Sequence, residues 1–246
     1  MSVDEAIRLP LAEVVRLWAE ASGIERAALP APARLESDFE GVAVAGPCRP
    51  GADPRDVASW ESRHGFRLPR KLRDWLHLSD GLAREGPIIH PLNAIGPMIP
   101  FATVPGMVVQ PESWFELGNP NSETICIDLA YRWPGGDCPI FTSGDDETGS
   151  PPRIIAPSFE TWLVRLLNEG GRAYWFDPGF SSLGDPWAEH RRRVPAPPLP
   201  DRLKSLASRL RPLMRRDADE RAIARSLGIT RFDVEAIFRH LQHAGS

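Results

Sequence analysis

The stretch DPRDVASWESRHGFRLPRKLRDWLHLSDG, residues 53–81, constrains the fold more than any other part of the chain. It predicts two short helices broken by a Gly-x-x-Leu-Pro elbow and closed by Asp80-Gly81. Asp53 can accept the orphan amides of the first helix, and Pro54 suits its first turn, where a missing N–H costs nothing. Val57, Trp60 and His64 recur at helical spacing and fall on one face. Gly65 permits a left-handed exit, Pro69 starts the second helix, and Leu72, Trp75 and Leu76 form its buried stripe.

Flanking segments extend the pattern. Upstream, Leu11, Val14, Val15 and Trp18 form a helical stripe that ends at Gly23. Downstream lie short strand-like runs at Ile88–Ile89, Met107–Gln110, Thr124–Leu129, Pro139–Thr142 and Arg153–Ala156. Ser158 can then cap a helix with the apolar face Phe159, Trp162, Leu163, Leu166 and Leu167, ended by Gly170-Gly171. This ordered series resembles the SUKH superfamily, which takes in the fungal cell-wall-assembly regulator and many bacterial immunity proteins. The similarity covers roughly residues 11–171 and is strongest over 53–81 and 139–167. Asp80-Gly81 stands where many relatives carry Asn-Gly, and the turn chemistry is the same. The resemblance implies an α+β fold, with helices around a mainly antiparallel curved sheet. It also implies non-catalytic protein binding, either as an immunity protein that neutralises a cognate toxin or as an intracellular scaffold.

A chain of 246 residues can hold one full domain and a small second one. The three cysteines, Cys48, Cys126 and Cys138, form no close pair, which points to free thiols in a reduced compartment. The start, MSVDEAIRLP, has acids and a proline where a secretory signal needs a basic end and an apolar run. No stretch approaches the roughly 18 apolar residues of a membrane span. The expected location is cytoplasmic, with no membrane partner.

Prolines and charge divide the chain at the same places. Val194 to Pro200 contains four prolines in seven residues and should act as a stiff extended connector. Residues 1–199 carry a balance of −8, whereas residues 200–246 carry +4. The expected organisation is an α+β domain over 1–188, a basic, proline-rich linker over 189–200, and a helical tail over 201–246. Within the first part, residues 112–147 hold eight acids against Arg132 alone. Such a region suits capture of a cationic partner, because complementary fields steer encounter and favour register. Solvated faces account for most charge runs of this kind.

The tail predicts three helices. Leu203, Leu206, Ala207 and Leu210 make one stripe, and Asp217 with Glu220 forms a capping-box-like pair before Ile223, Ala224 and Leu227. Gly228 turns the chain, and Thr230 can cap a last helix bearing Val234, Ile237, Phe238 and Leu241. The spacing from Ala224 to Ile237 is helix-turn-helix-like. A DNA-binding regulator would use Thr230, Arg231 and Arg239 from that last helix. Asp233 and Glu235 on the same helix repel phosphates, and a structural or protein-docking appendage uses identical apolar spacing.

Catalytic motifs are missing: there is no phosphate loop, no Gly-x-Ser-x-Gly elbow and no His-Glu-x-x-His helix. His240 and His243 share a face, yet a metal site needs further ligands that the sequence does not place, so neither metal nor cofactor is expected. Asp128, Asp137, Asp145 and Glu147 could pair as acid and base only if their environments separated their pKa values. No enzymatic activity is expected. The residues chosen for partner contact are Glu112, Trp114, Phe115 and Glu116, read as exposed aromatics with acidic neighbours, together with the acids Asp145, Asp146 and Glu147; Trp114 and Phe115 read equally as core residues following a strand.

Overall fold

The structure is a computed structural model, and it describes residues 13, 49–83, 87–98, 109–120, 123–134, 137–144, 150–169, 171–214 and 219–244. The Leu11–Trp18 stripe lies outside the described residues. The fold is α+β, with seven α-helices and seven strands among the described residues.

The first two helices form as their capping chemistry predicts. Asp53 accepts the Arg55 N–H at 2.7 Å and starts α1 (Pro54–His64), which Gly65 ends at φ 73. A Glu61 carboxylate oxygen then accepts the Leu68 N–H at 2.9 Å and clamps the elbow before α2 (Arg70–Leu78). Val57 and Trp60 of α1, and Leu72, Trp75 and Leu76 of α2, are buried, while His64 is half-buried. Asp80 accepts the Leu92 N–H at 2.6 Å, which ties the closing turn to the 3₁₀ turn Leu92–Ala94.

Strands β1 (Leu82–Ala83) and β2 (Pro87–Ile89) pair as a small hairpin. Strands β3 (Gly96–Pro97), β4 (Trp114–Gly118), β5 (Ile125–Asp128), β6 (Ile140–Thr142) and β7 (Arg153–Ala156) form an antiparallel sheet in sequential order. Register shifts at Glu116/Gly118 and Ile140/Phe141 introduce the irregularities that curve such a sheet. Gly118 is required by close approach: a Cβ there would meet the Ile88 carbonyl oxygen at 2.0 Å.

Both faces of the sheet are covered. Phe115, Leu117, Ile125, Ile127, Ile140 and Ile155 pack with α1, α2 and α3 (Phe159–Asn168) in the main core. Trp114, Cys126, Phe141 and Ile154 point the other way and pack with Met98 and with Trp187 of α4 (Pro186–Arg193). Double coverage explains why the strands are almost wholly apolar instead of alternating. Ser158 caps α3 as expected, accepting the Thr161 N–H at 3.1 Å.

Helices α5 (Asp201–Leu210), α6 (Glu220–Leu227) and α7 (Arg231–Ala244) build a third cluster from Leu203, Leu210, Val234, Ile237 and Phe238, to which the loop residue Val109 is added. Asp219 caps α6 through the Arg221 and Ala222 amides, and Asp217 lies outside the described residues. At α7 the Thr230 hydroxyl accepts the Asp233 N–H at 3.1 Å, and Asp233 accepts the Thr230 N–H at 3.0 Å. This is a reciprocal capping box with aspartate in the glutamate position.

Two local expectations change. Of the strand-like run Met107–Gln110, only Val109 and Gln110 are described, and they lie outside any strand because Val109 gives its backbone to a tail side chain. Helix α4 runs across the boundary drawn at residue 188 and occupies the first half of the expected linker.

Candidate functional site

The main polar constellation outside the helical core centres on Asp128, the last residue of β5. Its side chain faces away from α1–α3 and is 1% exposed. One carboxylate oxygen accepts the Ser113 hydroxyl at 2.7 Å and the Ala130 N–H at 2.9 Å. The other accepts the Trp114 indole N–H at 2.9 Å and lies 2.6 Å from Nδ1 of His190. A buried carboxylate is tolerated only when its lone pairs are met in this way. The arrangement places a proton on Nδ1 of His190, whose ring stacks on Trp187 (5.8 Å between centroids, 15° between planes) and meets Trp114 edge-on. Asp128 thereby fastens α4 to the sheet.

The tail docks beside this hub. Gln242 of α7 accepts the Val109 N–H at 2.8 Å and donates to the Val109 carbonyl at 2.7 Å. Arg239 donates to the exposed Glu112 at 2.5 Å and pairs with Glu235 at 3.5 Å. His240 Nδ1 donates to the Pro197 carbonyl at 3.0 Å. The His243 ring sits 5.2 Å from that of His190. Burial, followed by the charges of His190, Arg191 and His240, holds His243 below the ordinary histidine pKa, so the ring is neutral near pH 7. A cleft of ≈ 270 Å³ remains between the loop before β4, the end of α4, the proline connector and α7. Gln242→Ala is expected to destabilise the protein by about 1–3 kcal/mol, because it strands both backbone groups of Val109. Urea denaturation followed by fluorescence will measure this.

Burial corrects one expectation outright. Trp114 and Phe115 are not exposed anchors: they are 0% and 1% exposed and point to opposite faces of β4. The run WFELG is a central strand, so both aromatics belong to cores. Glu116 is half-buried against His90 at 3.1 Å, and Glu112 is exposed in its pair with Arg239. Asp145, Asp146 and Glu147 lie outside the described residues. On α7, Thr230 is engaged with Asp233, while Arg231 pairs with Glu220 at 2.8 Å and Glu235 at 2.9 Å.

The Asp128–His190 pairing spans 62 positions and was not foreseen. One local signal existed: Asp185-Pro186 opens a helix, and Trp187 and His190 follow three apart on one face. The buried cysteines are poor nucleophiles. Burial pushes the Cys138 thiol up to about 12, and burial with Glu116 and Glu123 raises Cys126 well above its usual value. Among the described residues, no group of three or more His, Cys, Asp or Glu is arranged to hold a metal. Nor is any helix among them long and apolar enough to cross a membrane.

Residues 51–165 match the model of the SMI1 / KNR4 family (SUKH-1). That segment runs from the cap of α1 into α3 and takes in the whole five-stranded sheet. Over it, the resemblance to the SUKH superfamily holds. No curated protein matches the chain.

Proposed function

We propose that this protein is a non-catalytic protein-binding module, either an immunity-type protein that neutralises a cognate toxin or an intracellular scaffold. The match of residues 51–165 to the SUKH-1 family carries the reading. The wiring of the polar hub supports it. The Ser113 hydroxyl donates to Asp128 and not to His190, so the serine is not activated by the imidazole. Asp128 is occupied in fastening α4, and the buried cysteines stay protonated. The partner is a protein with a cationic face, met by Glu112, Glu116 and the acidic run Asp145, Asp146 and Glu147. Charge reversal at Asp145 and Glu147 should slow association and flatten its salt dependence while leaving the fold intact. Stopped-flow association with the captured partner, at two salt concentrations, tests this; unchanged association kinetics would move the interface elsewhere.

The rival reading is a DNA-binding regulator acting through α7. Arg231 and Arg239 already have carboxylate partners, and Asp233 and Glu235 place negative charge on the same helix. We therefore expect Arg231→Ala to leave both the unfolding midpoint and duplex affinity unchanged. Sub-micromolar duplex binding at physiological salt, falling steeply as salt rises and lost in this variant, would establish the regulator instead.

A further inference from the structure

His243, in the last turn of α7, sits where a positive charge is poorly received. Its ring packs edge-on against Trp187 of α4, with 5.4 Å between centroids, and lies 5.2 Å from the ring of His190. Nδ1 is buried and has no hydrogen-bond partner among the described residues. A neutral imidazole carries one N–H and can leave that nitrogen as a bare lone pair, whereas the imidazolium carries a proton on both nitrogens. Protonation would therefore leave a charged N–H at a buried position without an acceptor.

The surrounding charges act in the same direction. From α4 come His190 and the Arg191 guanidinium, itself 5.3 Å over the Trp187 ring, while Glu189 of that helix is held by Arg192 and Arg193 at 2.5 and 2.9 Å. On α7, His240 and Arg239 precede the ring, and Arg239 is held by Glu112 and Glu235. The connector from Val194 to Pro200 carries no charged residue. Asp128 of β5 favours the charged ring, but it already accepts from Ser113, Trp114, Ala130 and His190. Burial and the positive neighbours outweigh it and hold His243 below the ordinary histidine value.

This ring adjoins the seam that docks the tail. Arg239 reaches Glu112, His240 the Pro197 carbonyl, and Gln242 both backbone groups of Val109, all from the last two turns of α7. Val234, Ile237 and Phe238, which pack α7 into the tail cluster, precede them. We propose that His243 makes this seam acid-sensitive: on mild acidification its ring takes up a proton, and the last two turns of α7 loosen from α4 and from the Val109 loop. This goes beyond the protein-binding reading and does not depend on it. The released imidazole titrates near 6.5, above the docked one, so the released state binds the proton more tightly. Docking is at full strength above pH 6.5 and is lost progressively as the pH falls from there toward the docked value.

Hydrogen exchange in the full-length protein, corrected for the intrinsic effect of pH on exchange rates, tests the proposal at the amides of Val109 and of residues 239–243. A local readout is needed because burial also holds His64 of α1 low, and that residue adds its own pH dependence to global unfolding. Between pH 7.5 and pH 5.5 the protection of these amides should fall at least three-fold, toward the ceiling of about ten-fold for one group whose released value is 6.5. His243→Phe keeps a ring against Trp187 and removes the proton site, so protection in that variant should stay constant over the same range. NMR titration of the wild-type His243 ring should give a midpoint below 6.5. Constant protection in the wild type, an equal fall in His243→Phe, or a midpoint at or above 6.5 would overturn the assignment.

Discussion

Asp128→Ala is expected to cost about 3–5 kcal/mol of folding stability, because it strands several buried donors at about 1–3 kcal/mol each. The loss has identifiable sources. Without the carboxylate, the Trp114 indole N–H, the Ser113 hydroxyl and His190 Nδ1 lose an acceptor in a site that is almost dry. Asp128→Asn keeps the shape but sets an amide N–H₂ against two of these donors, so it should restore only part of the stability. Chemical denaturation of the three proteins measures the difference. A cost below about 1 kcal/mol for the alanine variant would mean that the Asp128–His190 contact does not fasten α4 to the sheet.

Trp75→Ala is expected to be as damaging, at about 3–5 kcal/mol, for a different reason. Trp75 is 0% exposed, and it sits between Leu72 and Leu76 in the main core. Its removal leaves a cavity where the covering helices α1 and α3 cannot collapse without disturbing the sheet they pack on. The same denaturation experiment reads the effect. A variant of wild-type stability that had lost its partner would make Trp75 a surface anchor and contradict the burial of α2.

The contrast between these two residues shows what the sequence made legible. Trp75 belongs to a stripe set by helical period, a glycine exit and a proline start, all local rules, and the two helices they predict within residues 53–81 form at 54–64 and 70–78. The same holds for Ser158 and α3, and for Gly228 and Thr230 in the tail. Asp128 and His190 are different. Their meeting depends on which face of β5 points away from the helices and on where α4 returns, and neither follows from spacing along the chain. Trp114 and Phe115 failed for a related reason: a strand buried on both faces shows no alternation, and the flanking Glu112 and Glu116 gave the aromatics acidic neighbours like those of a contact surface. The prolines place a connector from Pro195 onward, whereas the basic residues before it belong to a helix held by Trp187 and His190.

Affinity capture of the intact protein from its source cells, followed by calorimetry on the reconstituted pair, tests the central claim most directly. The account predicts a saturable complex of fixed stoichiometry with a protein partner that is left chemically unchanged, and with affinity preserved in Asp128→Asn at temperatures where that variant is folded. A partner, or any co-purified substrate, converted by substoichiometric amounts of the chain, with turnover lost in folded Asp128→Asn, would contradict it and make the Asp128–His190 pair catalytic.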